Sequence, residues 1–175
     1  MEAPPSASMP SLAGAAFIGG STGLRSQMGM AVLLNGTPLA QLPASLRHRA
    51  VRPIAVAAAL AELVADKLPS TPARTQARGL VPRIGLGGLS AGLLARNAHA
   101  PTTASAAVGA GTAVGTAFAG LAARGALAKR LPPIVAALVE DLVAVVLAVV
   151  ALRLAPTAPM DDAAAGTADA YPPTY

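Results

Sequence analysis

GGSTGLRSQMGMAVLL, residues 19–34, sets one arginine inside an otherwise uncharged run. From Ser11 to Leu34 the only charge is Arg25, with fourteen residues before it and nine after. A helix needs about 20 apolar residues to cross the hydrocarbon of a bilayer, and this run is long enough. A charged side chain at that depth costs roughly 2.5–3.5 kcal/mol on insertion scales, so it pairs within the protein or faces a wet cavity. Arg25 therefore calls for a buried carboxylate elsewhere in the chain.

The composition supports a membrane setting. Hydrophobic residues make up 54% of the 175, charged residues only 12%, and the mean hydropathy is +0.57. A soluble domain is roughly 25% charged, so this surface would be poorly solvated. Aromatics contribute 2% and tryptophan is absent, leaving alanine, glycine, valine and leucine to fill the interior. Small residues let helix backbones approach closely in lipid. The expected fold class is all-α: a polytopic membrane helix bundle of about five transmembrane helices, tightly packed by Gly/Ala faces. The lipid bilayer is the expected partner, with a homodimer or larger membrane complex as the assembly. There is no cysteine, which excludes disulfides, thiolate metal sites and cysteine nucleophiles. The net charge of +5 does not indicate nucleic acid, because the thirteen Lys and Arg are scattered between apolar runs almost without aromatics. Bases that flank apolar segments meet anionic headgroups.

Five apolar segments follow in order: residues 11–34, 50–65, 80–95, 104–123 and 132–152. The second and third are short, so either could be tilted, re-entrant or surrounded by the others, giving four spans plus a buried hairpin. Gly and Pro signals in NGTPLAQLP, KLPSTPARTQARG, AHAPTT and KRLPP separate them. The expected organisation is a disordered N-terminus at 1–10, a transmembrane helical domain at 11–154 and a disordered acidic tail at 155–175. MEAPPSASMP lacks a basic n-region, so the first segment is expected to remain in the mature protein. With five spans, Lys and Arg number seven on the N-terminal side against five opposite. The positive-inside rule then leans toward a cytoplasmic N-terminus.

Two segments carry acids. In the fifth, Glu140 and Asp141 are adjacent, and Glu140 shares a helix face with Ala136, Ala144 and Ala148. In the second, Glu62 and Asp66 lie four apart above Ala55, Ala58 and Ala59. The expected intramembrane charge or proton site is Arg25 with Glu140 or Asp141, and with Glu62 next in line; an arginine fork can hold a carboxylate through two hydrogen bonds. Small-residue repeats predict helix-packing faces at Gly19 and Gly23, at Gly88 and Gly92, and at Gly111, Gly115, Ala119 and Ala123. AALAELVA (58–65) also resembles AALVEDLVA (136–144), each after a Pro-Ile pair, and segments one and four carry Arg25 and Arg124. Two such units three spans apart would be inverted in the membrane, a transporter trait.

Other motifs carry less. GLSAG (88–92) matches the G-x-S-x-G nucleophile pattern, but Ser90 falls in an apolar helix and only His48 and His99 could act as base. GAGTAVG follows no strand and is not a dinucleotide fingerprint. No His, Asp and Glu have metal-site spacing, so neither a metal nor a cofactor is expected.

Taken together, GLRS in the first segment, ELVADKLPSTPART ending the second, the glycine-rich fourth segment and ED in the fifth resemble an uncharacterised bacterial membrane family, domain of unknown function 4126. The similarity spans residues 12–154, and DKLPSTPAR is its most specific piece. The resemblance implies a multi-pass protein of the bacterial inner membrane and no defined activity. Its motifs map to Arg25, Glu62, Glu140 and Asp141, and to a loop group of Asp66, Lys67 and Arg74. The function expected is a small permease or channel-like protein with an Arg–carboxylate site within the bundle. The alternative is a structural or assembly subunit, and neither is an enzyme.

Overall fold

A computed structural model describes residues 9–65 and 76–155. Six α-helices account for most of them: α1 (Met9–Leu24), α2 (Met28–Gly36), α3 (Val51–Ala65), α4 (Ala77–Asn97), α5 (Thr102–Leu127) and α6 (Pro133–Leu154). The described residues contain no strand. Pro133 opens α6 at a position where its missing N–H costs nothing. His99 ends α4 in the left-handed region, φ 51°, and the next N–H, that of Ala100, reaches back to the Ala95 carbonyl at 2.8 Å.

The first apolar segment is two helices rather than one. The helix stops after Leu24, turns through Arg25, Ser26 and Gln27, and resumes as α2. Gly29 then lies against Ile18 and Thr22, eleven and seven residues earlier, so α2 folds back along α1. A continuous helix would put residues 18 and 29 about 16 Å apart. Segment one, not two or three, is therefore the hairpin, and Arg25 sits at its tip.

Contacts fix the directions of the remaining helices. Gly19 meets Gly109 and Gly23 meets Ala113, so α5 runs parallel to α1. Gly14 meets both Leu94 and Ala151, Gly23 accepts from Arg83, and Arg25 bonds Asp141, so α4 and α6 run antiparallel to it. α3 climbs from Val51 and Ala55, packed near Leu33 and Leu34, to Glu62 at the tip. Because the hairpin reverses the chain, α1 and α5 point the same way and are not inverted copies.

α1 is the hub, packed on α4, α5, α6 and α2. Its approach to α5 relies on two glycines: a Cβ at Gly19 would overlap the Gly109 carbonyl, and one at Gly23 would overlap Thr116 and the Ala113 carbonyl. Gly88 and Gly92 rest more loosely on Ala106 of α5. The stripe expected along Gly111, Gly115, Ala119 and Ala123 is different: all four are exposed, and both glycines face open space. The buried face of α5 is Ser105, Gly109, Ala113, Ala117 and Gly120 instead.

Substituting Gly19 with leucine forces α1 and α5 apart, at a cost of about 1–3 kcal/mol or more. Gly111→Leu should change stability by less than about 0.5 kcal/mol. Thermal melts of both variants in detergent separate the two faces of α5; equal destabilisation would contradict this packing.

Candidate functional site: the tip of the hairpin

A turn that interrupts a helix in an apolar layer leaves backbone N–H and C=O groups that water does not reach, and these must be satisfied by the protein. At this tip both kinds of group are met by side chains from other helices. Glu62, from α3, accepts the Ser26 N–H at 2.8 Å, the Ser26 hydroxyl at 2.8 Å and the Gln27 N–H at 2.9 Å. Ser26 and Gln27 immediately precede α2, so the carboxylate sits at the positive end of that helix dipole. Arg83, from α4, donates Nε to the Gly23 carbonyl at 3.1 Å and Nη1 to Gly79 at 2.6 Å. Its Nη2 lies 3.4 Å from Glu62 Oε1. The negative end of α1 therefore faces a guanidinium, and the positive end of α2 a carboxylate.

Arg25 is 1% exposed. Its Nε and Nη2 both reach Asp141 Oδ1 at 2.5 Å. Glu140, the adjacent residue on α6, turns to another helix: Arg124 of α5 approaches its Oε2 with Nε at 2.9 Å and Nη2 at 2.6 Å. Of the two acids proposed for Arg25, Asp141 forms an ion pair with it, and Glu140 forms one with Arg124. Glu62 belongs to the same tip through the backbone and Arg83. Asp141 is the ninth residue of α6, which places it about 12 Å along the helix from Pro133. The cluster therefore lies well along α6 from the helix's first residue.

Asp66, Lys67 and Arg74, the loop group from the sequence, lie outside the described residues. Arg83 was not named as a site residue and Arg124 entered only through the repeat, although the signal used for Arg25 applied to Arg83, the only charge in residues 80–95. Ser26 could not have been found this way, since its role arises from the break. Thr116 adds a further link, its hydroxyl lying 3.0 Å from the Gly20 carbonyl and 2.8 Å from that of Thr112. Ser90 is fully buried in mid-α4, so the strand-to-helix elbow that a G-x-S-x-G nucleophile needs is absent at this position. Among the described residues no group of His, Asp and Glu could hold a metal ion.

No protein-family model, curated protein or solved structure matches the chain.

Removing one partner of a buried ion pair strands the other charge, typically at about 3–5 kcal/mol. Arg25→Met should destabilise the protein by that order. The double variant Arg25→Met/Asp141→Leu should recover much of the loss, because no charge is left behind. A double-mutant cycle read by denaturation in detergent checks the pair, and additive losses would mean that the two side chains do not interact.

Proposed function

We propose that this chain is an integral membrane protein in which α3 to α6 cross the bilayer and α1–α2 enters as a re-entrant hairpin, and that it acts as a small permease or channel-like protein at the hairpin tip. The inverted distribution of polarity supports the membrane setting. Leu142, Val64 and Val81 are each 64–65% exposed, while Arg25, Ser21, Thr22, Ser90 and Ser105 are at most 1% exposed. A protein folding in water arranges these the other way. α5 and α6 are long and apolar enough to cross a membrane, with mean hydropathies of 1.5 and 2.6. Both ends of the described chain then lie on one side. With the buried Arg25 and Arg83 and the Glu140-paired Arg124 set aside, the ten other Lys and Arg of the sequence divide evenly between the two sides. The charge lean toward a cytoplasmic N-terminus disappears.

One observation carries the functional reading: a broken helix whose tip, deep in the bundle, is held by a carboxylate from a loosely packed neighbour. Transporters build their sites at such interruptions, from half-helix ends and ionisable side chains. α3 buries only Ala59 and packs chiefly on α2. Its attachment to the tip thus runs largely through Glu62. Arg83 and the α2 terminus hold α3 at the tip through the Glu62 charge, so a change at this one contact would free α3 to move. Glu62 is the gating group in this reading, and Arg25–Asp141 fixes the tip against α6.

The assembly reading rests on a separate feature, the open stripe of Gly111, Gly115, Ala119 and Ala123 along α5, a surface shaped for another helix.

Proton flux into liposomes under an imposed potential distinguishes them. Wild type should exceed empty liposomes, and Glu62→Gln should lower flux at least tenfold while remaining folded by circular dichroism. Well-folded wild-type protein that conducts no better than empty liposomes would defeat proton conduction. A leucine at Gly115 that dissociates an oligomer without touching flux would then support assembly.

A further inference from the structure

We infer that the crevice between α5 and α6 is a binding site for an anionic phospholipid, its acyl chain lying between the helices and its phosphate on the basic turn that joins them. The inference rests on the membrane placement proposed above and not on the transport reading.

Although α5 and α6 are consecutive, they touch sparsely, because α5 lies on α4 and α1 while α6 lies on α1 and α2. The gap holds a cavity of about 110 Å³. Its walls are small or aliphatic, with Gly120, Ala123, Ala136, Val139 and Val143 among them. Ala123, Val139 and Val143 are exposed, so the crevice opens on the outside of the bundle, where the acyl chains would be. The Arg124–Glu140 pair is set into the same walls.

Charge at the end of the crevice selects the headgroup. Lys129 and Arg130 are exposed on the turn between the helices. That turn is ordered, with the Arg130 and Leu131 N–H groups both donating to the Leu127 carbonyl, at 2.9 and 2.8 Å. No Asp or Glu occurs between Asp66 and Glu140 in the sequence. Glu140 offsets Arg124, so Lys129 and Arg130 give this rim a net charge of +2. An apolar slot ending in two lysine or arginine side chains at the level of a helix end fits a phosphate with an attached chain. A zwitterionic lipid would fill the slot equally well but would gain little from the rim.

The test is native mass spectrometry of the full chain in detergent, titrated with phosphatidylglycerol or with phosphatidylcholine of the same acyl chains. Phosphatidylglycerol should bind at least tenfold more tightly. Lys129→Gln/Arg130→Gln should weaken it about 30-fold, as expected for roughly 1 kcal/mol per charge near an anionic surface. Ala123→Trp, on an exposed position of the crevice wall, should abolish retention and leave the melting of lipid-free protein unchanged. Equal binding of the two lipids, or wild-type affinity in either variant, would overturn the inference. So would a dimer that Ala123→Trp dissociates with no lipid retained. Recovery of the wild-type chain in the soluble fraction without detergent would defeat the membrane reading itself. A membrane-integral protein without headgroup preference would defeat only the lipid site.

Discussion

Two peptide groups, the N–H bonds of Ser26 and Gln27, constrain most of this architecture. A helix that breaks inside an apolar layer exposes groups that no water reaches, and each must be answered by protein. Glu62 answers both N–H groups. That requires α3 to rise beside the hairpin as far as the tip. A carboxylate in this position needs a cation, and Arg83 of α4 provides one while also taking the Gly23 carbonyl at the end of α1. One turn of backbone thus draws two further helices, α3 and α4, into register, and the opposed charges match the dipoles of the half-helices they cap.

Close packing makes room for the hairpin. α1 packs against α2, α4, α5 and α6 at once, and its glycines bring α5 especially near. Gly19 and Gly23 let the backbone of α5 come within contact of α1. On the far side α6 presents Ala144, Ala148 and Ala151, all fully buried. Many bulky aliphatics face outward, Leu60, Val64, Val81, Leu138 and Leu142 among them, while Arg25, Ser21, Thr22 and Ser90 are buried. In water this distribution would be unfavourable; in hydrocarbon it costs nothing, and association rests on the small-residue contacts inside.

Much of this could be read from the residues, for reasons that differ by element. A lone arginine in an apolar run demands a carboxylate whatever the fold, which is why Arg25 pointed to segment five and the adjacent acids there. The break at Arg25 was not placed because the polar stretch Arg25-Ser26-Gln27 also fits within one continuous helix, and the turn uses these residues rather than proline or paired glycines. What sustains it is Glu62, more than thirty residues away, and local sequence cannot report that. The packing face of α5 was misplaced for another reason. With glycine or alanine on every side of the helix, a four-residue repeat of small residues selects no face. Phe118 does: it shares a side with Gly111 and Gly115 and is 51% exposed. The side without a large residue, Gly109, Ala113, Ala117 and Gly120, is the buried one.

The adjacent acids of α6 show how such charges specify a bundle. Successive residues on a helix point about 100° apart, so Asp141 and Glu140 cannot face the same neighbour. Asp141 reaches α1 through Arg25, and Glu140 reaches α5 through Arg124. Two ion pairs in different directions, one residue apart, pin both the rotation and the height of α6. Sliding it by one residue would bring Glu140 toward Arg25 but turn it away from Arg124, leaving one guanidinium without its acid. In a helix that is otherwise valine, leucine and alanine, apolar packing alone would tolerate several such settings. Buried pairs contribute little net stability. Here they discriminate among packings of nearly equal apolar quality, and they do so at the level where the hairpin turns.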